Sequence, residues 1–549
     1  MQAVWLRFHL DNMEIPLTSA WRRRLVIGAA ATLCLTYVFL AGRLFVAALF
    51  GAIPAGEIPI GEIPKLASLQ RAARLDPGNA EYRDDLGDYY AQAGDPAAAI
   101  EPYRAAVQLN PHSAHYWFHL ASAYQVLGDT SNQTWALEHA VEADPTTPGV
   151  AWEAANNFHV RGDNEKDSAS RLSYHEKALR EYRVVLENDP SLAGLAIQHC
   201  WLINPDVDVL LRDVVPPTAP AYIAFLELLT TPKRVQLSTN TAPSHPGGSK
   251  WVYTLQDPET GAESNGWVDA SVAISGYTGH ASGNNVTATI TASTATTIEI
   301  ANPGGTVTNT SADSDSPVLT ISGTKQERAA TAKVWTALMA TSQKFELRYV
   351  YEYLRYLLDH KDVDQARLVW QQAAPRFGLS SYLPTRNNLI VNGNFNLDIL
   401  NGGFDWQYQK QRPVTLTLDP SDHHGSGNRS LLITFDGSGI VDAGISQFIP
   451  VQPRTTYEFR AYYKNGDFEG AGGPHFTIQD VVTQAVLWES DELKEAGESW
   501  KSVGGDAAGE FMTGDDCKLL VLRIRRLPEG SPIRGKLWVD DFRLTAKRQ

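Results

Sequence analysis

Asp76-Pro77, Asn110-Pro111 and Asp144-Pro145 stand 34 residues apart. Proline cannot continue a helix, so each pair marks a helix end. A chain that ends helices at this interval is made of short helical units, none able to bury its own apolar face. Stacking the units buries those faces against one another and gives an elongated solenoid. Such a surface suits holding other molecules better than transforming them.

The residues between the marks sharpen the reading. The span 80–113 places Leu86, Gly87, Tyr90, Ala99, Tyr103, Ala106 and Pro111 at intervals that the next unit echoes with Trp117, Leu120, Ala121, Tyr124, Leu137, Ala140 and Pro145. Small residues let paired helices approach, and large ones fill the gaps between them. The pattern resembles the tetratricopeptide repeat. A half-unit (Leu69, Ala72, Pro77) precedes it, and a third unit carries Ala151, Ala155, Phe158, Ala178, Tyr182 and Pro190. Pro145 and Pro190 are 45 residues apart, so extra residues around GDNEKDSAS form a loop or lengthen the helices. Helical texture returns in KVWTALMA (333–340) and LVWQQAAP (368–375), with Trp335 and Trp370 35 residues apart. The helix expected to pair with the first of these is AYIAFLELL (221–229).

Between them, 233–326 is rich in Thr, Ser and Gly. VTATITAS and TTIEIANPGGTVTNTS alternate β-branched and small residues between turn signals, as strands do. This block is expected to be a small β domain, or a partly ordered β-rich excursion, inserted into a helical turn. The alternative is a low-complexity loop.

Leu25–Gly42 is 18 residues without a charge, and the apolar run resumes after Arg43. With Arg43 snorkelling, the stretch is long enough to span a bilayer. Arg22-Arg23-Arg24 precedes it, and Glu57 and Glu62 follow it. The positive-inside rule then puts 1–24 in the cytoplasm, an anchor at 25–50 and the bulk of the chain outside, on a bacterial inner membrane. A cleaved signal peptide is the alternative, although its apolar core is ordinarily shorter. Residues 51–64, with three Ile-Pro pairs, make a stiff spacer.

A net charge of −15 lacks the basic footprint that nucleic acid requires. Of the three cysteines, Cys34 lies in the apolar stretch, which leaves only Cys200 and Cys517 to pair. No cysteine-histidine spacing suggests zinc, and no nucleophile motif, phosphate loop or acid pair suggests an enzyme. His423-His424 in a turn reads as an ordinary polar pair.

From Asn387 onward the chain shows strand-length alternations and glycine turns, the signature of a β-sandwich. NLIVNGNFN (388–396) with GFDW (403–406), HHGSGNRSLLITF (423–435), ISQFIPVQPRTTYEFRAYYK (445–464), ESWKSVGG (498–505) and KLWVDDFRL (536–544) occur in this order. Together they resemble the jelly-roll carbohydrate-binding modules of bacterial xylanases and cellulases. The resemblance implies aromatic faces on which sugar rings stack, with Trp406, Tyr408, Tyr462, Trp488 and Trp500 as candidates. Tyr463 points to the opposite face from Tyr462, and Trp538 is expected in the core. The resemblance also implies a structural calcium held by Asp540 and Asp541, with Asn396 where an acid is common and Asp398 as a substitute.

The tetratricopeptide resemblance implies a groove lined by first-helix positions, which here fall on Glu81, Asp84, Asp88, His115, Phe118 and Gln125. Such acids suit a basic segment of a protein partner. The expected architecture is therefore a transmembrane helix, helical repeats at 65–232 and 327–386 interrupted by the β segment 233–326, and a jelly roll at 387–549. The function expected is a non-catalytic, membrane-anchored extracytoplasmic scaffold. Its repeats would dock a protein and its jelly roll would hold glycan, in envelope polysaccharide assembly or export. The alternative is an adaptor whose jelly roll binds no sugar.

Overall fold

The computed structural model describes residues 20–52, 64–259, 261–307, 317–410, 412–425, 427–494, 497, 499–503 and 509–547. Most of the expected spacer, and the first 19 residues of the expected cytoplasmic segment, lie outside them. The chain divides into two compact units, Met1–Asp189 and Pro190–Gln549.

The first unit opens with α1 (Ala20–Gly51), whose Arg24–Gly51 stretch is long and apolar enough to cross a membrane. Arg43 does not snorkel. Its guanidinium donates to the carbonyls of Leu75, at 2.5 Å, and Arg74, at 3.3 Å, at the C-terminal end of α2 (Pro64–Leu75). Those carbonyls have no partner within their own helix, so a cation is favoured there twice, by hydrogen bonding and by the helix dipole.

Three hairpins follow: α3 (Ala80–Gln92) with α4 (Pro96–Leu109), α5 (Ala114–Val126) with α6 (Thr130–Ala143), and α7 (Pro148–Asn164) with α8 (Ser168–Asn188). The first two turn in the same way. Gly94 and Gly128 take positive φ, and the next residue, Asp95 or Asp129, caps the following helix by accepting from Ala98 N and Asn132 N. Gly87 packs on the Tyr103 ring, leaving no room for a Cβ, which is the small-against-large fit expected from the pattern. α7 and α8 have 17 and 21 residues against 13 and 14 in α5 and α6. The extra residues of the third unit are thus taken up as helix.

The second unit contains α9 (Ala193–Ile203), the short α10 (Val207–Val209) with a π-turn at Leu210–Val214, and α11 (Ala219–Thr230). α11 pairs with α12 (Lys325–Ala340), and α13 (Leu347–Asp359) pairs with α14 (Val363–Arg376). A β domain sits inside the first of these hairpins. Its strands are β1 (Lys233–Gln236), β2 (Ser244–Gly247), β3 (Lys250–Thr254), β4 (Ser271–Ser275), β5 (Val286–Ser293), β6 (Thr297–Ala301) and β7 (Val318–Ser322). They pair in the order β1-β7-β4-β5-β6-β3-β2, and a bridge from Leu237 to Leu255 joins the ends of β1 and β3. The sheet thereby curls around its own core, which includes Leu237, Tyr253, Ile274, Ile298, Ile300 and Leu319. Alternating β-branched residues on a curled sheet give one wet and one dry face, and this core removes the need for a loop reading.

The C-terminal domain is an antiparallel sandwich of jelly-roll type. Its strands are β8 (Gln407–Tyr408), β9 (Val414–Asp419), β10 (Ser430–Gly439), β11 (Asp442–Pro450), β12 (Thr456–Glu469), β13 (Pro474–Asp480), β14 (Val486–Glu489), β15 (Lys501–Ser502), β16 (Gly509–Met512), β17 (Leu519–Arg526) and β18 (Pro532–Ala546). One sheet runs β15-β12-β18-β10-β9, with β16 also on β12; the other runs β14-β13-β17-β11-β8. Between them lie Trp406, Ile433, Phe459, Phe476, Leu522, Leu537 and Phe542. The sandwich seats directly on the last helical hairpin. A Cβ on Gly402 would lie 2.7 Å from the Tyr351 ring, and one on Gly403 2.7 Å from the Trp370 ring. The Tyr382 hydroxyl donates to Asp398 O at 2.8 Å, and Lys518 pairs with Asp364 at 2.5 Å. Cys200 and Cys517 are both buried and both free thiols, so the pairing left open by the sequence is not made.

Candidate functional site

The first candidate lies on the first helices of the repeats, where successive units present equivalent positions side by side. Asp84 of α3 is buried, yet its carboxylate faces α5. His119 Nδ1 lies 3.0 and 3.1 Å from its two oxygens, and His115 Nε2 lies 3.8 Å from Oδ2. The two imidazoles are one helical turn apart, with ring centroids 4.0 Å apart. Asp88 joins from the next turn of α3, 3.3 Å from His119 Nδ1, and is itself held by the Tyr103 hydroxyl at 2.7 Å. Burial pulls the His119 imidazole down. Hydrogen bonding to Asp84 and the charges of Asp84, Asp88 and Glu153 outweigh it and raise the group above the ordinary histidine value. Burial likewise pushes the Glu153 carboxyl up, against the opposing pull of His119 and His115.

Of the groove residues expected from sequence, Asp84, Asp88 and His115 come together here. Glu81 and Gln125 are exposed on the same two helices. Phe118 is a correction: it is buried in the helix packing and presents no surface to a partner. His119 escaped the sequence reading. It stands 35 residues after Asp84, so the repeat period itself marks the two as neighbours.

The second candidate is the outer face of the sheet that carries β12 and β18. Along β12 the residues alternate strictly, so Tyr457, Phe459, Ala461 and Tyr463 enter the core while Tyr462 and Lys464 point outward. The Tyr462 ring stacks on His424 at 3.6 Å and 14°. Trp500 is 5.9 Å from the same imidazole and donates its indole N–H to Asp422 at 3.0 Å. Lys464 also holds Asp422, at 2.5 Å, and lies over the Trp538 ring. Trp538, expected in the core, stands on this outer face and donates to Asp419 at 2.8 Å.

The five expected sugar-stacking aromatics do not form one platform. Tyr462 and Trp500 share this face, and His424 completes the group. Trp406 is 0% exposed. Its ring is covered by Phe395 and Phe542, and its N–H donates to Asn392 O. No sugar can reach it. Trp488 packs on Phe459 and over Gly509 at the edge of the other sheet, and Tyr408, 41% exposed, lies on β8 at that sheet's opposite edge.

The residues implied for calcium are spoken for by protein donors. Asp540 is buried and accepts from His424 N and Asp541 N, and burial pushes its carboxyl up to about 6. Asp541 Oδ2 lies 2.6 Å from His424 Nδ1. Asp398 pairs with Arg429 at 2.8 Å, and Asn396 Oδ1 accepts from Asn428 N at 2.9 Å. A hard cation needs converging oxygen ligands. Here a cationic arginine and an imidazole occupy two of the four groups, so the set does not fit calcium.

Residues 80–123 match the family model for the tetratricopeptide repeat. The segment 80–123, from α3 into α5, is a tetratricopeptide repeat. Solved structures similar to parts of the chain fall into two groups. A crystal structure of MamA is 22% identical, with 30% of this chain and 85% of that one covered and a TM-score of 0.23. A structure titled for the structure and function of CBM4 is 16% identical, covering 29% and 99% at a TM-score of 0.22. The CBM22-1 xylan-binding domain of Paenibacillus barcinonensis Xyn10C is 15% identical, covering 29% and 93% at 0.20. No curated protein matches the sequence.

Proposed function

We propose that this chain is a membrane-anchored, non-catalytic scaffold of the bacterial envelope. Its repeats dock a basic segment of a protein partner, and its sandwich holds glycan during polysaccharide assembly or export. The observation that carries the docking role is the acidic groove, where Glu81 is exposed and Asp88 half-exposed on α3, with the charge of the buried Asp84 beneath them. The glycan role rests on the outward pair Tyr462 and Trp500, flanked by the hydrogen-bonding groups of Asp422 and Lys464. An aromatic face beside such groups meets both surfaces of a pyranose ring. The proposed domain order is an anchor at 25–50, a spacer at 51–64, repeats at 65–232 and 327–386, the insert 233–326 and the sandwich 387–549, with 1–24 in the cytoplasm.

A specific observation favours the second reading, an adaptor without sugar binding. The sandwich is seated on α13 and α14 through Gly402 and Gly403, as a purely structural module would be. Affinity electrophoresis of the detergent-solubilised chain through gels containing xylan, cellulose derivatives and envelope polysaccharides separates the two. Retardation that is lost in Trp500→Ala supports glycan binding; equal mobility in every gel leaves the adaptor. Protease access in spheroplasts tests the orientation, and a protected C-terminal domain would reverse it.

A further inference from the structure

Asp84, His115 and His119 each offer one ligand atom, and these three atoms all lie within 4.8 Å of one another. We infer that Asp84, His115 and His119 form a binding site for a divalent transition-metal ion, bridging the first helices of two successive repeats. Three features of the geometry support it. Around a tetrahedral ion with bonds of about 2.0–2.2 Å, neighbouring ligand atoms stand roughly 3.3 Å apart. The separations from Asp84 to His119 and to His115, 3.0 and 3.8 Å, bracket that value. A small rotation of the exposed His115 imidazole would close the set.

The donors are also positioned before any ion arrives. The histidine pair is one turn apart on a rigid helix, and the carboxylate is buried on the neighbouring one. In this geometry Asp84 reaches only one of the two rings by hydrogen bonding. His119 takes both carboxylate oxygens, and His115 Nε2 stays beyond hydrogen-bond reach at 3.8 Å. An ion between them would engage all three groups at once. Asp88 Oδ1 stands beside the set, 3.3 Å from His119 Nδ1, and is oriented by the Tyr103 hydroxyl in the manner of an outer-shell partner.

Two imidazoles and one carboxylate favour zinc, nickel or copper over magnesium or calcium, whose preferred ligands are oxygens. The ion would tie α3 to α5 and turn the acidic groove into one that presents a metal. The inference does not rest on the docking role, since binding is measured with no partner present.

The test is isothermal titration of the EDTA-stripped, detergent-solubilised full chain, without an affinity tag, with zinc at neutral pH and magnesium as control. One equivalent of zinc should bind, with no magnesium heat. His115→Ala should weaken the affinity about 10–100-fold, and His115→Ala with His119→Ala should abolish it. His115 is 66% exposed at its side chain, so its single variant should fold, as circular dichroism would check. No stoichiometric zinc binding, or equal affinity in His115→Ala, overturns the inference.

Discussion

The repeat groove and the outer face of the sandwich both set histidine against carboxylate, and they resolve the pairing in opposite ways. In the groove the acid is buried and holds His119, while His115 is accessible and outside hydrogen-bond range of Asp84. On the sandwich, His424 has one ring face covered by Tyr462 and its Nδ1 committed to Asp541, while its backbone N–H serves Asp540. The first arrangement leaves donor capacity for an incoming group. The second uses its capacity internally and leaves aromatic surface instead. On the proposed readings, similar residues serve an ion or a cationic segment in one place and a ring-shaped ligand in the other.

The largest effect expected comes from the core under the second site. Trp406→Ala should destabilise the sandwich by about 3–5 kcal/mol, read by chemical denaturation. Unchanged stability with lost glycan retention would return Trp406 to the surface and break the contrast. In the repeats, Gly87→Ala forces a methyl into the Tyr103 ring and should cost about 1–3 kcal/mol. An unaltered melting curve would show that α3 and α4 are not packed as described.

The two regions should also differ in pH dependence. Burial pushes the Asp405 carboxyl up to about 7, with one oxygen left without a hydrogen-bond partner, and Asp540 up to about 6. Both are acids raised above their unfolded value near 4. Their stabilising contribution is therefore complete below about pH 4 and lost as pH rises through about 6–7. Each tenfold displacement of such an equilibrium is worth about 1.4 kcal/mol. Asp405→Asn should flatten the sandwich's loss of stability between about pH 4 and 7, followed by thermal melts across that range. His119 in the repeats is also raised, but from near 6.5, so its contribution is complete below that pH and fades above it. His119→Ala should remove this dependence. The same window in both regions would erase the distinction. Tyr462→Ala should change stability least while reducing glycan retention, and retention unchanged would move the sugar site elsewhere.

The sequence spoke most clearly where spacing alone carries the information. The period located α3 to α8, and the β-branched alternation located the insert. Strand alternation placed Tyr462 and Tyr463 on opposite faces but could not say which face was wet, because that depends on a second sheet far along the chain. Trp406 sits in a loop just before β8, where no period reports a direction. His424 is likewise in a turn, and its stacking on Tyr462 depends on β12 reaching it across 38 residues. The extra residues between Pro145 and Pro190 were visible as a count, but loop and helix fit that count equally well. Only the packing of α7 along α8 decides for helix.

Gly402 and Gly403 carry one more consequence. By letting Tyr351 and Trp370 press against the backbone, they bring the sandwich into close contact with the last hairpin. On the proposed glycan role, a polymer on the sandwich is presented beside α13 and α14, as work is brought to a jig. The sandwich also closes the open end that a stack of helices otherwise exposes to aggregation.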